Sequence, residues 1–210
     1  MAEGYNRILD GGKPDSWGES KTAMIGKNRK PRVDQIRFLT MTEVGYKIFM
    51  SILGGKIEIH LEENGLGWDN QTWFSKSGRV EDNLFILQHI VEKTYRNREK
   101  FVIVGIDFEK AYDSVKRDKL IEIMRDYKIQ GEIIDFISRI YTGNRTIVGK
   151  GKGREIAIEL ESGIRQGCTA STFLFKMVTY KIIEGINRQC RGVMVGDEII
   201  RSLFSQMTGY

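Results

Sequence analysis

The segment Phe101-Val-Ile-Val-Gly-Ile-Asp107-Phe108-Glu-Lys-Ala-Tyr112-Asp113 carries the most legible chemistry: an apolar run ends in a carboxylate, and an aromatic ring follows five residues later. An Asp just past a buried strand can turn both carboxylate oxygens onto Mg²⁺ in a partly dehydrated site. The ordinary alternative is a strand end whose Asp is solvated, the commoner fate of an aspartate. Downstream, Ser162-Gly-Ile-Arg165-Gln166-Gly167-Cys168-Thr-Ala-Ser171-Thr-Phe-Leu-Phe175 sets an amide, which donates and accepts hydrogen bonds, beside a glycine that lets backbone approach a ligand closely. Basic residues gather at Lys27, Arg29, Lys30, Arg32 and Arg37. They read either as a solvated basic face or as a phosphate clamp, for which the Arg fork is suited. Gly149-Lys150-Gly-Lys152-Gly153-Arg154 lacks phosphate-loop spacing and opens no helix. It reads as a flexible basic hairpin tip that can touch a nucleic-acid backbone without reading sequence.

The elements that must position these residues follow from periodicity and punctuation. Phe101 to Ile106 reads as a buried strand, because such strands are near-continuous apolar runs. Residues 1–35, rich in Gly and charge, read as loop-dominated, with a turn at Asp10-Gly-Gly-Lys-Pro14. Thr42 to about Leu61 reads as helix broken at Gly54-Gly55, and Asp82 as the cap of a helix with the stripe Leu84, Leu87, Val91 and Tyr95. After the strand, Asp113 or Ser114 caps a helix with Leu120, Ile123, Met124 and Tyr127 inside, stopping before Gly131. A further helix bears Ile133, Phe136, Ile137, Ile140 and Tyr141. Thr146 to Val148 and Ile156, Ile158, Leu160 read as a hairpin, Ser171 to about Asn187 as a long helix, and Val193 to Ile200 as a second hairpin turning at Gly196-Asp197.

Together and in this order, Asp107-Phe-Glu-Lys-Ala-Tyr112-Asp113 and Gly163-Ile-Arg165-Gln166-Gly167-Cys168 resemble the reverse transcriptases of non-LTR (LINE-type) retrotransposons. Those enzymes carry D-x-x-x-A-F/Y-D as a first palm motif and G-[IV]-R-Q-G-C/D-P-L-S-P-x-L-F as a later one. The resemblance reaches upstream through Pro14-Asp-Ser-Trp17, Met24-Ile-Gly-Lys27, Ile36-Arg37-Phe-Leu-Thr40, Tyr46-Lys-Ile-Phe49 and Gln71-Thr-Trp-Phe74 with Arg79, so it covers nearly the whole chain. It implies an α+β fold, an incomplete right-hand polymerase, with 1–98 fingers-like, 99–210 a partial palm and the thumb absent. It implies Asp107 as catalytic residue and metal ligand, with the Phe108 carbonyl as an additional ligand for Mg²⁺ or Mn²⁺. Tyr112 would exclude a ribose 2′-hydroxyl, Gln166 and Gly167 would flank the incoming nucleotide, and Lys27 and Arg37 would hold its triphosphate. Arg165 would contact template or a carboxylate, and Lys150, Lys152 and Arg154 the nucleic-acid backbone. Asp107, Tyr112 and Gln166 are then expected to converge on one cleft.

Three departures accompany the resemblance. Thr169 and Thr172 stand where the family usually has Pro, and after Ile199-Ile-Arg-Ser-Leu-Phe204 the sequence reads Ser-Gln-Met-Thr-Gly-Tyr210 in place of an aromatic-Ala-Asp-Asp box. The expected reading is a fragment of an RNA-directed DNA polymerase with RNA template, DNA primer and dNTPs as partners, inactive as these residues stand. A viral-type RNA-dependent RNA polymerase fragment and a non-catalytic nucleic-acid-binding remnant are the alternatives.

Composition agrees. A net charge of +5 favours an anionic partner, and 40% hydrophobic residues suffice for a real core. Two cysteines and two histidines give neither a disulfide framework nor a zinc pattern. No membrane-length apolar run or signal-peptide pattern is present, so an intracellular protein of cytoplasm or nucleus is expected.

Overall fold

Small polar residues, not apolar ones, mark the inner face of the strand at the centre of the main sheet. In the computed structural model, which describes residues 2–12, 14–26, 36–64, 80–149, 155–165 and 167–203, strand β1 (Glu19–Gly26) pairs antiparallel with β2 (Ile36–Met41) and parallel with β3 (Arg145–Val148). β3 pairs antiparallel with β4 (Ile156–Glu159), giving the order β2-β1-β3-β4. Ser20 and Thr22 are buried where alternation would call for Val or Ile, and hydrogen bonding compensates. The Thr22 hydroxyl lies 2.6 Å from that of Thr146 and 3.3 Å from that of Thr40, and Ser20 Oγ donates to the Arg145 carbonyl at 3.4 Å. This inverted pattern corrects the loop-dominated reading of residues 1–35, which contain both β1 and helix α1 (Ala2–Leu9).

The chain divides into two compact units, residues 1–64 with 109–178, and residues 65–108 with 179–210. In the first, helix α2 (Val44–Glu63) buries Tyr46, Phe49, Met50, Leu53, Ile57 and Leu61. Trp17 meets Tyr46 edge-on at 5.5 Å, and Phe49 lies 4.9 Å from Phe136. Helix α4 (Arg117–Asp126) contributes Leu120 and Met124, and α5 (Gly131–Tyr141) contributes Phe136, Ile137, Ile140 and Tyr141 as read from sequence, with Ile134 buried in place of the expected Ile133. The cap of α4 is a correction: the N-cap is Lys116, without a side-chain bond, while Ser114 Oγ donates to the Ala111 carbonyl at 3.0 Å.

The expected break at Gly54-Gly55 does not occur, since α2 runs through both. A Cβ on Gly54 would stand 2.6 Å from the Phe173 ring of helix α6 (Thr169–Gln189), whereas one on Gly55 would meet nothing within 4 Å. Gly54 is therefore a close-packing residue and Gly55 a plain weakness in the helix. Gly54→Ala is expected to destabilise by roughly 1–3 kcal/mol through overpacking, and Gly55→Ala to stabilise by about 0.5–1 kcal/mol through helix propensity. Urea midpoints of the two variants should move in opposite directions.

In the second unit, α3 (Val80–Asn97) buries Asn83, Ile90 and Thr94, and leaves Leu84, Val91 and Tyr95 exposed, so its apolar stripe does not face the core of that unit. Thr94 Oγ1 donates to the Ile90 carbonyl at 2.8 Å, which lets a polar residue sit inside. Asp82 lies within the first turn of α3, not ahead of it. The strand expected over 101–106 is absent: the stretch forms no ladder among the described residues, and Val102 and Val104 are 86% and 75% exposed. Apolar content alone does not make a strand without a paired edge. The closing hairpin, β5 (Val193–Val195) with β6 (Glu198–Ile200), is as expected, and Lys93 Nζ donates to the Met194 carbonyl at 2.5 Å. Among the described residues no helix is long and apolar enough to cross a membrane.

Candidate functional site

Two turns distant in sequence are bonded backbone to backbone in the first unit. The Gly163 N–H donates to the Val115 carbonyl and the Ile164 N–H to the Tyr112 carbonyl, both at 3.0 Å. Gly163 must be glycine here: its φ is +80°, and a Cβ would stand 2.9 Å from the Asp113 Cα. The residues after Tyr112 are thereby seated on the loop that leads into Gly167. Tyr112 is half-buried, its ring stacked on Phe175 of α6 at 5.0 Å between centroids.

Arg117 clamps the same loop from the start of α4. Its guanidinium donates to the carbonyls of Tyr141 at 2.7 Å, Gly163 at 3.0 Å and Ser162 at 3.2 Å. Burial lowers its pKa, and the neighbouring Tyr141 opposes that shift. Sequence reasoning missed this residue. A signal was present, since a cation in the first turn of a helix opposes the macrodipole and needs another partner.

Gly167, with φ +86°, closes the loop against the sheet, where a Cβ would stand 2.9 Å from the Thr40 carbonyl of β2. Its glycine character thus serves close approach of backbone to protein. Arg165 is 5% exposed, and its guanidinium carbon lies 5.0 Å from the centroid of the Tyr46 ring. Its Nε, Nη1 and Nη2 have no hydrogen-bond partner among the described residues. Arg165 lines a cavity of about 250 Å³ together with Thr22, Thr40, Thr146, Asp113 and Arg117. Desolvation raises the Asp113 pKa, and Lys110 opposes it.

Asp107 is exposed and, with Phe108, belongs to the second compact unit. Lys27, Lys150, Lys152, Arg154 and Gln166 lie outside the described residues. Arg37 pairs with Ile25 in the β1–β2 ladder, and its side chain is not described. Tyr112 and Gly167 are thus brought into one unit with Arg165. Among the described residues no group of three or more His, Cys, Asp or Glu side chains could hold a metal ion.

Comparison with known proteins gives a consistent picture. The family model "Reverse transcriptase (RNA-dependent DNA polymerase)" matches residues 25–204. A Pol polyprotein from the type-1 retrotransposable element R2 of Nasonia vitripennis is 28% identical over 204 residues, covering 95% of this chain and 19% of that protein. The Pol polyprotein from R2DM of Drosophila melanogaster is 23% identical, covering 90% of this chain and 18% of that protein. The transposon TX1 protein of Xenopus laevis is 19% identical, over 80% of this chain and 13% of that protein. The chain spans about a fifth of the length of the first two relatives.

Proposed function

We propose that this chain, which belongs to the reverse transcriptase (RNA-dependent DNA polymerase) family, forms the incoming-nucleotide side of a retrotransposon polymerase active site. The observation that carries the reading is the docking of the Gly163-Ile164 loop on the Tyr112–Val115 turn, which ties the first motif to the second. Tyr112 is the residue that excludes a 2′-hydroxyl, with its ring backed by Phe175. Gln166 and Gly167 flank the nucleotide, Lys27 and Arg37 hold its triphosphate, and Lys150, Lys152 and Arg154 track the backbone of template or primer. Residues 1–98 are the fingers-like part and 99–210 part of the palm.

The family uses divalent metal ions to join a dNTP to a primer 3′-oxygen, and Asp107 with the Phe108 carbonyl is the ligand set this chain offers. That set does not by itself fit a pair of ions, because the described residues bring no group of three or more ligating side chains together. The 210 residues contain no Asp-Asp pair. The chain therefore contributes to the reaction by positioning and selecting nucleotide, and does not polymerise alone.

Equilibrium binding of dUTP and UTP, which differ only at the 2′ position, tests the selection role. The unmodified chain should prefer dUTP, Tyr112→Phe should keep the preference, and Tyr112→Val should narrow it by roughly tenfold or more. A preference unchanged in Tyr112→Val, or absent from the unmodified chain, would overturn the reading.

A further inference from the structure

We propose that Arg117 and Tyr141 are a pair of positioning residues for nucleotide selection, holding the loop that begins at Ser162 at both of its ends and so fixing the place of Tyr112. The inference rests on the reading of Tyr112 as the selecting residue. At the first end of the loop, Gly163 is gripped from both sides by one segment. Its N–H donates to the Val115 carbonyl, and its own carbonyl accepts from Arg117 Nε, both at 3.0 Å. Arg117 Nη2 donates to the Ser162 carbonyl at 3.2 Å and Nη1 to the Tyr141 carbonyl at 2.7 Å. A planar fork of five donors suits three carbonyls on two separate segments, whereas a lysine ammonium carries the same charge without that geometry. Tyr141 holds the far end. The Arg117 guanidinium carbon lies over its ring, 5.3 Å from the centroid. Its buried hydroxyl lies 3.3 Å from that of Ser171, in the first turn of α6. Burial raises the pKa of this phenol, and hydrogen bonds from the Ser171 side chain and the Arg165 backbone oppose the rise.

The connection to selection runs through α6 and through the Tyr112 backbone. Ser171 and Phe175 stand four residues apart in α6 and so share one face of the helix. Phe175 is the ring on which Tyr112 stacks, at 5.0 Å between centroids. Tyr141 therefore anchors the helical turn that precedes the support of the selecting ring. On the other side, the Ile164 N–H donates to the Tyr112 carbonyl itself at 3.0 Å, and the neighbouring Gly163 is the residue that Arg117 grips. Ring and backbone of Tyr112 are thus held by separate routes, and the Arg117–Tyr141 contact joins the two. A displacement of about 1 Å caused far from the chemistry is enough to cost about 10²-fold in rate. Steric exclusion of one hydroxyl depends in the same way on where the excluding ring stands.

The test measures dUTP and UTP affinities of the purified 210-residue chain, with amide hydrogen exchange at Gly163 and Ile164 as a readout that needs no nucleotide. Arg117→Lys should narrow the preference for dUTP by roughly threefold or more and speed exchange at both amides. Tyr141→Phe, which removes one oxygen, should narrow the preference by less. Neither change should narrow it further in a Tyr112→Val background, because both act through Tyr112. Leu53→Ala, a truncation on the buried face of α2, should lower stability without moving the ratio of the two affinities. If Arg117→Lys does not fold, Tyr141→Phe carries the test, alone and in the Tyr112→Val background. A preference retained in Arg117→Lys and Tyr141→Phe, or amide exchange unchanged in Arg117→Lys, would overturn this inference and leave the role of Tyr112 standing. Narrowing that persists undiminished in the Tyr112→Val background would do the same. No preference for dUTP in the unmodified chain would overturn the role of Tyr112, and the positioning role with it.

Discussion

The purified 210-residue chain is expected to give no Mg²⁺-dependent primer extension, and the physical reason lies in ligand count. Each Mg²⁺ requires near-octahedral oxygen ligation, and two such ions held about 3.5–4 Å apart repel one another unless carboxylates bridge them. Asp107 is one exposed carboxylate, and the described residues bring no ligating group of three together. A longer polypeptide that adds an aromatic-Ala-Asp-Asp segment and the residues that follow it in the family should extend a primer. In that setting Asp107→Asn should lower the rate by roughly 10²–10³-fold or more, the scale on which loss of a preorganised charge-stabilising group acts. Robust extension by the unmodified chain that survives Asp107→Asn would show the catalytic carboxylate to be elsewhere.

The helices of the first unit were legible because their buried faces are apolar and periodic: Leu120 and Met124 on α4, and Phe136, Ile137 and Ile140 on α5, are inside as the pattern requires. β1 was not legible, because its inner face is Ser20 and Thr22, satisfied by hydroxyls and carbonyls of neighbouring strands that no local pattern announces. The run at 101–106 failed in the opposite sense, since β-branched content signals a strand only where an edge is available to pair with it. At the candidate site, sequence motifs identified the segments, while the reasons for individual residues lay in tertiary contact. Gly167 reads as a glycine that admits a ligand, yet its close neighbour is the Thr40 carbonyl. Arg165, which the resemblance sets against template or a carboxylate, is buried over Tyr46, a pairing between residues too far apart in sequence for periodicity to reveal.

Gly163→Ala should be among the most damaging single changes in the first unit, although it adds one methyl group. Two costs act together. The residue sits at φ +80°, where an L side chain costs about 1–2 kcal/mol. Its Cβ would also stand 2.9 Å from the Asp113 Cα and 3.1 Å from the carbonyl oxygens of Asp113 and Tyr112. Those neighbours are backbone and cannot swing aside, so overpacking adds roughly 1–3 kcal/mol. Gly143 supplies the control, since it has φ +62° with nothing within 4 Å of an added Cβ, and Gly143→Ala should carry the backbone cost alone. Urea unfolding of the two variants should therefore differ by the overpacking contribution. The same substitution should strain the bonds from Gly163 to Val115 and from Ile164 to Tyr112, so dUTP preference over UTP should fall together with stability. A Gly163→Ala variant no less stable than Gly143→Ala, with its nucleotide preference intact, would mean that the two motifs are not joined by this contact.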